Sequence, residues 1–144
     1  MKSKLIDKST QRTFAVILDT GDEAMKSLQD FAVREGLTAA QFTAIGAFRS
    51  AVLGYFDWDE KDYRRIPVDE QVEVVSLIGD IAAGEDGKPA LHAHVVLGRS
   101  DGTALGGHLL EAQVRPTLEV VVTESPAHLQ RRKDKDSGLA LIKL

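Results

Sequence analysis

The 144-residue chain contains no cysteine. Disulfides and thiolate metal sites are thereby excluded, and any transition-metal site has to be built from histidine and carboxylate. No window approaches the roughly 18 consecutive apolar residues that a membrane-spanning helix needs. The first residues, Met1-Lys2-Ser3-Lys4-Leu5-Ile6-Asp7, carry two lysines without an apolar stretch behind them and do not read as a signal peptide. A cytoplasmic protein with no membrane partner is the default expectation. Basic excess is lacking too. Eighteen Lys and Arg stand against 22 Asp and Glu, for a formal charge of −4. A dedicated nucleic-acid binder usually carries the opposite balance, because basic groups release counterions from phosphate. There are only four prolines, and internal repeats and low-complexity segments are absent.

What is present suits one ordinary domain over residues 1–144, with about 1–8 as a loose polar N-terminus. The hydrophobic fraction is 43% and the charged fraction 28%, both normal for a globular protein. Arg12–Leu18 reads as a first strand, rich in β-branched and aromatic residues. Thr20 with Glu23 three residues on has the form of a capping box. A helix follows from about Asp22 to Glu35, with Ala24, Met25, Leu28, Phe31 and Ala32 as its apolar stripe and Gly36 at the left-handed cap position. The remainder has strand patterning: Phe42–Ala47, Ala51–Trp58, Tyr63–Val68, Val72–Ile81, Leu91–Gly98, Thr103–Val114 and Leu118–Thr123. The expected fold class is α+β, a mostly antiparallel sheet packed with one main helix. Gln130–Ser137 mixes both charge signs and reads as a solvated loop.

Three of the four histidines fall in one expected hairpin, Leu91–Gly98 and Thr103–His108. Strand side chains alternate between faces, so His92 and His94 share one. Ser100-Asp101-Gly102 suits a three-residue loop with Gly102 in the left-handed position. That register sets His94 opposite His108 and His92 opposite Leu110, and opposed residues have Cβ atoms about 5 Å apart. A loop one residue shorter or longer would put His108 on the other face. Three neutral imidazoles make an open zinc site with a position left for water or substrate. Nickel, copper and iron(II) accept the same ligands. Gly106 and Gly107 leave space beside the histidines. His128 follows Pro126 and reads as a surface residue. Among carboxylates, Glu119 sits between apolar neighbours and is a weak candidate for an acid/base role. Glu111, three residues past His108, is weaker, since strict alternation turns it to the opposite face. Arg49 and Arg115 are basic residues that nothing in the spacing singles out.

The runs Glu73–Ile81, Leu91-His92-Ala93-His94, Gly106-Gly107-His108-Leu109-Leu110-Glu111 and Pro116–Val120 resemble the plant-and-prokaryote-conserved (PPC) domain. Ile45-Gly46-Ala47 and Leu53–Asp57 fit its bacterial members as well. The resemblance covers nearly the whole chain. It implies a compact α+β domain that assembles as a homotrimer, with a metal site at His92, His94 and His108. It also implies similarity in fold to part of acetolactate decarboxylase, a zinc enzyme with a His-x-His and a later His. Whether this chain is an enzyme stays open, and so does a small-molecule ligand. In plants the domain follows an AT-hook that contacts DNA. This chain has no Arg-Gly-Arg-Pro core, so a DNA-associated regulator is the alternative, using Arg131, Arg132, Lys133 and Lys135 as its basic face.

Overall fold

A computed structural model describes residues 1–7, 11–125 and 129–143. The elements run β1 (Lys2–Asp7), β2 (Thr13–Asp19), α1 (Ala24–Glu35), β3 (Ala39–Asp57), β4 (Asp62–Val68), β5 (Val72–Ala83), β6 (Pro89–Gly98), β7 (Ala104–Glu124), β8 (Gln130–Lys133) and β9 (Ala140–Lys143). One helix against a sheet-dominated fold matches the expected class. The sheet follows the order β1-β2-β7-β3-β5-β8-β9, with β4 beside β3 and β6 bridging β5 and β7. Its pairs are antiparallel except β5 with β8, which meet in parallel at Ala83 and Gln130.

Several expected boundaries shift. Residues 2–7 pair with β2 as a strand, from Lys2 opposite Ile17 to Asp7 opposite Thr13, instead of trailing as a loose terminus. Phe42–Ala47 and Ala51–Trp58 are parts of one 19-residue strand, β3. Thr103–Val114 and Leu118–Thr123 are likewise joined in the 21-residue β7. The turn-like residues within them mark bends. Gly46 has φ 151°, and a Cβ there would lie 2.3 Å from the Thr117 carbonyl oxygen, so only glycine lets β3 cross β7 this closely. Gln130–Ser137, expected as a loop, begins with β8, which pairs with β9 from Gln130–Lys143 to Lys133–Ala140.

The helix stripe is inward as the spacing predicts. Ala24, Leu28, Phe31 and Ala32 are buried, and Met25 packs partly buried on the same core. Phe31 meets Phe14 edge-on at 5.3 Å between centroids. Gly36 takes the left-handed C-cap at φ 64°, its amide hydrogen reaching the Ala32 and Val33 carbonyls. The N-cap differs from expectation. Glu23 itself caps, its Oε2 accepting from the Lys26 amide at 2.6 Å, while Oε1 accepts from the Ala112 amide at 2.8 Å. Thr20 instead donates to the Pro116 carbonyl at 3.0 Å. Glu23 therefore ties the helix start to β7. Among the described residues no helix is long and apolar enough to cross a membrane.

Removing Glu23 opens both ends of that tie. Glu23→Ala should lower unfolding stability by about 1–2 kcal/mol, and Thr20→Ala by clearly less, both read from urea denaturation midpoints. Equal losses would restore the capping-box assignment.

Candidate metal centre

The turn between β6 and β7 forms as its residues dictate. Gly102 has φ 82°, and Asp101 Oδ1 accepts from the Thr103 amide and hydroxyl at 2.9 and 2.6 Å. The Arg99 amide donates to the Thr103 carbonyl at 2.8 Å. This closes a three-residue loop and fixes Gly98 opposite Ala104 and His94 opposite His108. The ladder ends at that pair, so His92 lies opposite Asp80 of β5 rather than paired with Leu110.

The three imidazoles converge. One ligand atom from each lies within 4.8 Å of the others. His92 Nε2 and His94 Nε2 are 3.1 Å apart. Metal–nitrogen bonds of 2.0–2.1 Å at tetrahedral angles separate donor atoms by about 3.3 Å, so this pair is close to ligand spacing already. The His92 and His108 rings stack at 5.1 Å, and His94 stands edge-on to both. His108 Nδ1 is buried without a hydrogen-bond partner. An orphaned buried nitrogen is costly, and a cation at such a cluster is one group that neutral imidazole nitrogens satisfy. Among the described residues no second group of three or more His, Asp or Glu converges this way.

The surroundings hold His94 and His108 toward the neutral form, the state a metal requires. Burial lowers the His108 pKa to about 4, helped by His92, His94 and Arg131. Burial also lowers His94, with His92 adding to it. Asp80 Oδ2 lies 3.8 Å from His92 Nδ1, and its other oxygen binds the Arg131 guanidinium. Burial would raise the Asp80 carboxyl, but His92 and Arg131 together outweigh it and hold it below the usual range. A carboxylate behind a histidine orients the ring and selects its tautomer.

Two further residues complete the wall, and neither was evident from the sequence. Tyr63 of β4 stacks on His108 with centroids 4.6 Å apart. Gly54 makes space for this ring, since a Cβ there would sit 2.8 Å from Tyr63 Cδ1. Arg131 is 6% exposed, so the expected basic surface loses its first member to the interior. Gly107 lies on the face away from the histidines, with room only for the Gly54 carbonyl 3.0 Å from a notional Cβ, so it serves strand approach rather than ligand space.

Glu111 shares the histidine face after all. An extra residue in β7 between Leu109 and Glu111 restores the alternation, placing Glu111 opposite Val52 two residues from the Gly54–His108 pair. It is spent on Arg65 at 2.5 Å and does not join the cluster. Glu119 lies far along β7, paired with Ile17 and Ile45. Arg49 and Arg115 are exposed, and His128 is outside the described residues.

The sequence profile of the Plants and Prokaryotes Conserved (PCC) domain matches residues 6–126. The chain belongs to this family. Solved PCC-like structures overlay it over nearly its full length. A plant- and prokaryote-conserved protein of Pyrococcus horikoshii is 34% identical, covers 92% of each chain and has a TM-score of 0.86. A metal-containing protein of Archaeoglobus fulgidus is 35% identical over 99% of this chain and 97% of its own, with a TM-score of 0.84. A proposed DNA-binding protein of Bacteroides thetaiotaomicron is 28% identical over 98% and 96%, with a TM-score of 0.87. No curated protein matches the chain.

The buried histidine of this PCC domain has a consequence for the metal-free protein. Unfolded, His108 takes up a proton near 6.5; folded, it does so only at about 4. Between those values the unfolded chain binds the proton and the native chain does not. Stability is full above the unfolded value and drains away as pH falls toward 4. Melting temperature of chelator-treated protein should drop over that window, and His108→Gln should flatten the drop. A parent profile flat from pH 7 to 4 would contradict the burial argument.

Proposed function

We propose that the chain is a cytoplasmic, metal-binding PCC domain that assembles as a homotrimer, with His92, His94 and His108 holding one divalent ion, zinc by donor type. The observation that carries this is three imidazoles whose ligand atoms converge within 4.8 Å, with Asp80 placed behind His92. The metal-containing relative from Archaeoglobus fulgidus supports it. A bound ion with an open position would polarise a ligand oxygen or acidify a bound water. The reading stops at binding, because Glu111 is paired with Arg65 and Glu119 lies in the apolar depression beside Ile45, outside the histidine cluster.

Self-association is supported by the outer sheet face. Ile45, Val75, Ile78 and Val121 are 46–61% exposed, and with Ile17 they line a shallow depression of about 420 Å³. Exposed apolar patches of this kind mark interfaces. Ile78 is opposite His94 in the sheet, so the association face borders the histidines. The number three rests on the resemblance alone.

Elemental analysis of untagged protein should find about one equivalent of zinc or a related ion per chain. His94→Ala should lose it, and chelation should lower the parent's melting temperature. Absence of metal after reconstitution would sink the metal reading. Light scattering should give a trimer that Ile45→Asp with Val121→Asp dissociates.

A DNA-associated role is the second reading, favoured by the proposed DNA-binding relatives. The basic segment is poorly suited to it. Arg131 is buried on Asp80, and Asp134 and Asp136 interleave the rest. Gel retardation at low salt that weakens steeply as salt rises would favour DNA binding, and no retardation would remove it.

A further inference from the structure

A cleft of about 200 Å³ opens beside the histidines. Leu91, Leu139 and Ala140 form its apolar walls, and His92, His108 and Arg131 its polar end. The volume is below the range of pockets for drug-sized ligands, so the occupant is small.

Arg131 is the decisive group. Its guanidinium is almost fully buried, held by Asp80 on one side and by the Ala140 carbonyl at 2.9 Å on another. Its Nε is buried without a partner. A guanidinium carries five N–H donors in a planar fork matched to a carboxylate, and the protein engages only part of that fork. Charge points the same way. Asp80 offsets Arg131, and histidines ligate a metal in the neutral form, so a divalent ion on the three of them leaves this end of the cleft with about two positive charges. The single guanidinium, already half engaged, has free donors for one carboxylate, and the small cleft leaves little room for a second. The leucine walls suit a short alkyl chain.

We propose that the cleft binds a small monocarboxylate of about the size of butyrate, its carboxylate toward Arg131 and the histidines and its chain against Leu91 and Leu139. The proposal deepens the metal-binding reading and rests on it for most of the charge.

The test is calorimetric titration of butyrate into zinc-loaded protein whose metal content is measured on the same sample. Butyrate should bind at least about tenfold more tightly than butyramide, the neutral isostere that lacks the charge-assisted bonds. Leu139→Trp should fill the cleft, keep the zinc and weaken butyrate by about tenfold or more. Butyramide binding as well as butyrate, or an unchanged affinity in Leu139→Trp, overturns the proposal. Should that variant not fold, a series from acetate to hexanoate in the parent decides: affinity should peak near butyrate, and a flat series overturns the cleft. Should the chain take up no zinc, the metal reading fails by itself. Butyrate is then titrated into the metal-free protein. Binding with the same chain-length peak keeps the cleft assignment, and no binding overturns it.

Discussion

The 2.8 Å hydrogen bond from the Arg99 amide to the Thr103 carbonyl fixes the register of β6 and β7, and every other feature of the histidine cluster depends on that register. With it, His94 faces His108 on the outer side, while Ala93, Val95, Leu97 and Leu109 are buried on the inner side. A slip by one residue would exchange the two sets. It would push His108 into the core and expose Leu109, forfeiting about 1.5–3 kcal/mol for that leucine alone. The burial that stabilises the sheet therefore also holds the imidazoles together. Site and core are specified by the same small turn, whose chemistry lies in Asp101 and Gly102.

Beyond this hairpin the site is assembled by long-range pairing. The second half of β3 takes β4 on one side and β7 on the other, which brings Tyr63 onto His108 across the notch left by Gly54. β5 supplies Asp80 behind His92, and β8 returns from the far end of the chain to lay Arg131 against Asp80. Each contact depends on strand neighbours distant in sequence. The bends in β3 and β7 are what make such neighbours available, since each long strand pairs with different partners along its length.

This division explains what could be seen in the residues. The histidine hairpin was legible because its turn and alternation are local, and so was the helix with its Gly36 cap. Tyr63, Asp80 and Arg131 were not, because nothing within a few residues of any of them reports the strand it will meet. Glu111 shows the limit from another side. Strict alternation turns it away from the histidines, and one extra residue in β7 turns it back. A bulge inserted opposite β3 is a property of the pair of strands rather than of the sequence around Glu111. The same holds for Pro116, which lies in a gap between two expected strands yet falls within the continuous β7, where the pairing with β3 shifts register next to Gly46.

The Asp80–Arg131 pair is costly to bury, and an ion pair of this kind is weak evidence of a stability gain, since apolar residues of similar volume often serve as well. Its retention is better explained by what it touches. Asp80 faces His92 Nδ1, so a carboxylate held ionised by Arg131 leaves the ring's other nitrogen turned to His94. Arg131, in turn, adds to the forces that keep His108 neutral. A balanced ion pair beside the cluster adds no net charge to repel an incoming cation, and a divalent ion held there would tip the balance positive. On the proposed metal reading, the arrangement that would receive a divalent ion would also favour an anion in the adjoining cleft, and binding of the first would raise affinity for the second.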